Sequence, residues 1–323
     1  MFTTMMDTWS SLALSPWNAD PFRLSSVFAP APTKNAGQFL DDRFHADFGS
    51  LRYKLFVPSQ YDGAPLPLIV MLHGCGQDAD DFASGTGMNL LAEENNCLVA
   101  YPEQSSGANG NRCWNWYETG HHQRGQGEPA LIAGVTRKIM TEYAVDAARV
   151  SVAGLSAGGA MAVIMGRTYP DLFTAVGCHS GLAHGSAKDM YGAMLAMREG
   201  ASDGALSRGT AAAEGSVPII VFHGDMDSTV HWKNSNGVVQ QSIDSYTAQA
   251  RSRRALELLE ETGEVGGRCY TRTVHRAKSG IVAEQWTVHG SGHAWSGGNV
   301  RGSYTDSNGP DASVEMLRFF TQR

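Results

Sequence analysis

The stretch VSVAGLSAGGAMAV, Val150–Val163, decides the fold. It begins as a β-branched run, passes through one serine, Ser156, set among glycines and alanines, and continues as a run of small helix-forming residues. The pattern G-x-S-x-G at Gly154–Gly158 is short enough to recur by chance, but its setting is specific. A strand, RVSVA, leads in and a helical run, AGGAMAVIMGRTYP, leads out, as a nucleophile elbow requires. A serine in that turn is strained and exposed, so the residues two before and two after it must be tiny. The helix start also presents free backbone N–H groups to a developing negative charge.

Working outward, apolar strand-like runs alternate with longer helical stretches. Strands are predicted at Arg52–Val57, Leu68–Leu72, Leu98–Tyr101, Val150–Ala153, Ala175–Cys178 and Pro218–Phe222, with a last pair at Tyr270–Val274 and Gln285–Val288. Helices are predicted near 80–95, 128–144, 157–169, 233–260 and 311–321. This alternation predicts an α/β fold with a mainly parallel central sheet flanked by helices on both faces. Residues 1–40, rich in Ser, Pro, Thr and Ala, read as a loosely structured N-terminal arm, and 41–323 as a single catalytic domain. The Gly181–Ser216 segment breaks the rhythm and reads as a crossover helix with a long surface loop or as a small lid.

A serine hydroxyl needs a base to take its proton, and in this architecture the base lies beyond the carboxyl end of a strand. His293, in VHGSGHAWSGG after the strand EQWTV, fits that place and the order Ser, acid, His; His289 is its rival. The acid follows an intermediate strand, in FHGDMDSTVHW, where Asp227 is assigned and Asp225 is the alternative. Asp306 and Asp311 follow His293 and violate the order. For the oxyanion, the N–H of Ala157 is one expected donor; the loop in LIVMLHGCGQD supplies the other, Cys75 first and Gly76 second. Trp114, Trp116, Trp232 and Trp295 are expected close to the predicted site and would suit an apolar acyl chain, a polyester segment or a ferulate ring equally.

The bulk numbers agree with an enzyme of this kind. Hydrophobic residues at 42% and charged residues at 18% exclude a disordered chain. A net charge of -7 without a Lys/Arg run argues against nucleic-acid or anionic-membrane partners, and no apolar segment is long enough to span a bilayer. The N-terminus lacks a basic n-region and a continuous apolar h-region, which makes cytoplasmic residence the default and leaves secretion open. Five cysteines without C-x-x-C spacing indicate no zinc site; a bridge between Cys75 and Cys113 is one of two readings of that pair.

The blocks VMLHGCGQDADDFA, AYPEQSSGANGNRCWNW, RGQGEPALIAGVTRKIM, RVSVAGLSAGGAMA, YPDLFTAVGCHSGLAHG, FHGDMDSTVH and GSGHAWSGG resemble the polyhydroxybutyrate depolymerase-like esterase family of α/β-hydrolases, close to feruloyl and acetyl-xylan esterases. The resemblance runs from about residue 45 to the C-terminus. It implies a catalytic Ser156, Asp227 and His293, an oxyanion hole at Cys75 and Ala157, hydrolysis of short-chain hydroxyalkanoate or other carboxylic esters through an acyl-enzyme, and no metal or organic cofactor. The expected partner is thus an ester substrate; the sequence carries no signal for an oligomeric state. Two other readings remain: a carbohydrate-directed esterase of feruloyl or acetyl-xylan type, and a hydrolase fold retained for binding alone, whose signature would be a broken triad.

Overall fold

In the computed structural model, which describes residues 37–204, 217–249 and 256–321, strand β3 (Leu66–Leu72) is buried at every position. Such a run is what a strand covered by helices on both faces needs. Its alternate side chains divide between two cores. Leu68, Val70 and Leu72 join Ile132, Met161 and Met165 on one face, while Ile69 and Met71 join Phe82, Met88, Phe222 and Met316 on the other.

Around β3 lie β1 (Gln38–Ala46), β2 (Gly49–Val57), β4 (Leu98–Glu103), β5 (Val145–Leu155), β6 (Ala175–His179), β7 (Ile219–Gly224), β8 (Glu257–Val265), β9 (Arg268–Ala277) and β10 (Gly280–Val288). They form one ten-stranded sheet in the order β1-β2-β4-β3-β5-β6-β7-β10-β9-β8. The strands from β4 to β10 in that order run parallel, and two antiparallel strands extend the sheet at each side. A short parallel pair, β11 (Trp295–Ser296) and β12 (Thr305–Asp306), stands apart. The helices are α1 (Ala79–Thr86), α2 (Met88–Asn95), α3 (Gly127–Glu142), α4 (Ala157–Thr168), α5 (Met190–Glu199), α6 (Lys233–Gln249) and α7 (Ala312–Thr321). Helix α4 is buried along its whole length, which suits its near-absence of charge.

Three expectations change. The single helix predicted near 80–95 is two, because Gly87 adopts a left-handed conformation (φ 65°) that ends α1 and begins α2. The predicted helix 233–260 stops within the described residues at Gln249, and Glu257–Glu260 belong to β8; residues 250–255 lie outside the described ones. Glu257–Val265 is exposed almost throughout, so its sequence shows no alternation, and antiparallel pairing with β9 overrides its helix-forming composition. Strand β1 was not predicted for the same reason: QFLDDRFHA buries none of its residues fully and is fixed by its hairpin with β2.

Strand β1 begins at Gln38, three residues before the expected domain start, and the described residues all belong to one compact unit, Ala36–Arg323. Residues 1–36 of the expected arm lie outside the described ones, as do 205–216 of the expected crossover or lid, whose described part contains α5. No helix among the described residues is long and apolar enough to cross a membrane.

Candidate active site

Because β3, β5, β6, β7 and β10 are parallel, their carboxyl ends share one edge of the sheet, and the loops carrying the candidate residues leave from it. Ser156 sits at the β5–α4 junction with φ 57° and ψ −119°, a strained conformation for a residue with a side chain. Its N–H donates to the His179 carbonyl at 2.8 Å and its carbonyl accepts from Ala160 N–H at 2.9 Å, so backbone bonds on both sides enforce the turn. The need for small neighbours is measurable. A Cβ on Gly158 would lie 2.0 Å from the Leu72 carbonyl oxygen and one on Gly154 would lie 2.4 Å from the Gly158 carbonyl carbon.

Past β7, the Asp227 side chain is fully buried and closely held. Its Oδ1 accepts from the N–H groups of Thr229 (2.9 Å) and Val230 (2.8 Å), and its Oδ2 lies 2.7 Å from His293 Nδ1. Burial alone would raise the carboxyl pKa. Hydrogen bonds from His223 and His293, the His293 charge and the Val230 amide overturn that and hold it far below the usual carboxylate range. The 2.7 Å contact places the neutral imidazole's proton on Nδ1 and leaves Nε2 as the basic nitrogen.

The rival pair is separate. Asp225 Oδ2 lies 2.8 Å from His289 Nδ1, Asp225 Oδ1 accepts from Gly290 N–H, and His289 Nε2 meets the Thr271 hydroxyl at 2.9 Å. This chain is half-exposed and ties the start of the loop that carries His293. Asp306 holds Arg268, and Asp311 caps α7 through the N–H groups of Ser313 and Val314.

At the end of β3, the two candidate oxyanion amides differ. Gly76 N–H donates to the Asn111 carbonyl at 2.8 Å, whereas among the described residues neither Cys75 N–H nor Ala157 N–H has an acceptor. The Cys75–Cys113 disulfide, left open by the sequence, forms and ties this loop to the 111–116 segment; Cys97, Cys178 and Cys269 are free. Behind it, buried Glu128 accepts from Gln104 Nε2 (2.5 Å), Asn115 N–H (2.8 Å) and Asn115 Nδ2 (2.6 Å).

Two of the expected substrate aromatics are corrected. Trp295 is 1% exposed, stacks on His179 and donates its indole N–H to Ser313 Oγ at 3.0 Å. Trp114 is fully buried and donates to the His73 carbonyl at 3.1 Å. Both therefore pack the floor under the loops instead of facing a ligand. Trp116 is also nearly buried, against Tyr117; Trp232, beside His231, is 40% exposed.

Residues that the sequence reading passed over complete the site. His179, the last residue of β6, accepts from Ser296 N–H at Nε2 (3.0 Å) while its carbonyl holds Ser156 N–H, so it joins the serine turn to the loop after His293. His223 in β7 places Nε2 2.7 Å from the Val230 carbonyl and 3.4 Å from Asp227 Oδ2. Their one signal was position, each standing at or next to the end of a predicted parallel strand. Tyr304, 52% exposed, lies ring-to-ring with His293 at 6.5 Å.

A ten-stranded mostly parallel sheet, a serine at the strand–helix turn and a buried Asp–His couple at the neighbouring strand ends define the α/β-hydrolase fold. The fold is shared with a solved acetyl xylan esterase from Aspergillus awamori, at TM-score 0.63 and 20% identity over 80% of this chain and 94% of that one. The chain belongs to the esterase PHB depolymerase family, whose model matches residues 51–264, a span that includes Ser156 and Asp227 and ends before His293. It is 33% identical over 277 residues to poly(3-hydroxyalkanoate) depolymerase C of Paucimonas lemoignei, covering 83% of this chain and 62% of that protein. It is 34% identical over 139 residues to feruloyl esterase B of Thermothelomyces thermophilus, covering 43% of this chain and 46% of that protein. The chain thus spans less than two thirds of the length of either relative.

Proposed function

We propose that this chain is a serine esterase that cleaves short-chain carboxylic esters through an acyl-enzyme, with polyhydroxybutyrate or hydroxyalkanoate oligomers as its substrate. The observation that carries the reading is the couple of buried Asp227 and His293, 2.7 Å apart, set at the same sheet edge as the strained Ser156 turn. In this reading His293 Nε2 takes the Ser156 proton as Oγ attacks the ester carbonyl, and Asp227 stabilises the imidazolium that forms. The carbonyl oxygen becomes an oxyanion, received by the free amides of Cys75 and Ala157. Imidazolium then protonates the departing alkoxide. Water, activated by the same nitrogen, attacks the acyl-serine and releases the acid, returning the proton to Ser156.

The non-catalytic reading would need a degraded site, and Asp227 is instead buried, held by two backbone N–H groups and bonded to His293. A carbohydrate-directed esterase stays the second reading, supported by the named feruloyl and acetylxylan esterases among the relatives. The Cys75–Cys113 bridge also supports work in an oxidising compartment in place of the cytoplasmic default.

The test is release of 3-hydroxybutyrate products from an amorphous polyhydroxybutyrate suspension, beside Ser156→Ala, with p-nitrophenyl butyrate and methyl ferulate as small esters. Soluble products from the unaltered chain alone support the polyester reading. Cleavage of small esters with the polymer untouched removes the polymer from it, and preference for methyl ferulate favours the carbohydrate esterase.

A further inference from the structure

Tyr304 combines three features. Its ring is 52% exposed, it lies 6.5 Å from the His293 ring at an interplanar angle of 77°, and its backbone is left-handed at φ 52°. An aromatic residue rarely adopts that conformation, and it persists only where the surroundings over-determine it. Here they do. The Tyr304 carbonyl accepts from Trp295 N–H at 2.7 Å, and Trp295 pairs with Thr305 in the β11–β12 bridge. On the other side, Ser303 N–H donates to Asp81 Oδ1 at 2.8 Å and the Ser303 carbonyl accepts from Gln77 Nε2 at 3.1 Å. The Gln77 Oε1 in turn accepts from Gly74 N–H at 2.9 Å, in the loop that carries Cys75. The backbone that carries this exposed ring is thus held between the His293 loop and the Cys75 loop.

The ring's place relative to the proposed chemistry gives the reason. Nδ1 of His293 is committed to Asp227, so the proton delivered to the departing alkoxide comes from Nε2, and the alcohol half of the ester must lie beside this imidazole. Resting on the esterase reading above, the geometry points to Tyr304 as the residue that selects the alcohol half of the substrate, its ring packing against the hydrocarbon of an alcohol larger than methanol. The contact exists only until the alcohol leaves. Tyr304 therefore favours acylation and has no part in hydrolysis of the acyl-serine.

The experiment compares methyl butyrate with benzyl butyrate, whose acyl groups are identical, in the unaltered chain and in Tyr304→Asn and Tyr304→Phe. Asparagine tolerates the left-handed backbone, so Tyr304→Asn removes the ring without forcing the loop open. The expected result for Tyr304→Asn is a fall of about ten-fold in kcat/KM for benzyl butyrate, with methyl butyrate within about two-fold. Tyr304→Phe retains both activities. Deacylation, followed after the burst with 4-nitrophenyl butyrate, is unchanged in every variant. Equal losses on both butyrates, or slowed deacylation, would show that the ring acts by positioning His293 and would overturn the assignment, as would no change on either. Failure of the unaltered chain to cleave any butyrate would instead remove the esterase reading on which the assignment rests.

Discussion

Replacing both bridged cysteines, Cys75→Ser with Cys113→Ser, tests whether the disulfide serves stability alone or also fixes the Cys75 amide proposed to receive the oxyanion. The bridge closes a loop with a sequence separation of 38 residues. In the chain-entropy treatment, a cross-link over a loop of that size stabilises by about 4 kcal/mol at 25 °C, through restriction of the unfolded chain. For a chain of 323 residues the entropy of unfolding is about 0.7 kcal/mol/K, so the variant's Tm is expected to fall by about 6 °C. The Cys75 N–H survives the substitution, since only the side chain changes. Loss of an oxyanion donor costs about 10²–10³ in rate, and a donor retained on a loosened loop is expected to lose about ten-fold in kcat. Calorimetry and ester hydrolysis well below the variant's Tm measure the two effects separately. A Tm drop of this size with unchanged kcat would refute the positional role, and an unchanged Tm would refute the bridge as a stabilising element.

Three further outcomes are expected. Burial pushes His73 down to about 4 and His179 and His184 to about 3, so each is neutral in the fold yet binds a proton near pH 6.5 when unfolded. Their stabilisation is complete above about pH 6.5 and drains as the pH falls toward 4, at up to about 4 kcal/mol per pH unit for the three together; a flat urea-unfolding free energy between pH 6.5 and 4.5 would contradict this. Asp227 adds a second acid limb: its depressed pKa contributes stability above about pH 4 that is lost below it, and Asp227→Asn should flatten that limb and nearly abolish ester hydrolysis. Gly158→Ala puts a Cβ 2.0 Å from the Leu72 carbonyl oxygen, and the backbone must shift; soluble protein with unaltered Tm and activity would contradict the close approach.

Much of this arrangement could be read in the chain because the relevant constraints are local. The strand–Ser156–helix turn, the strand ends that carry Asp227 and His293, and the Gly-rich loop with Cys75 all follow from runs of fewer than fifteen residues. What escaped depends on distant partners. Strands β1 and β8 are exposed edge elements whose sequences carry no burial pattern, and only pairing with β2 and β9 makes them strands. Trp295 stands two residues from His293, yet its indole turns under the loop to meet Ser313 and His179. Tyr304 gave the opposite impression, since nothing in GSYTDSNG hints that β11–β12 pairing brings its ring to His293. His179 and His223 lay in plain view at strand ends, but their part in holding Ser156 and Asp227 is a matter of single hydrogen bonds.

The central claim, that Ser156 is a nucleophile activated by His293 and Asp227, is tested most directly by mass spectrometry of the intact chain after exposure to a fluorophosphonate. One adduct is expected, located on the peptide that contains Ser156, formed far more slowly in His293→Ala and absent in Ser156→Ala. An unlabelled wild-type chain, or an adduct that persists in Ser156→Ala, would contradict it.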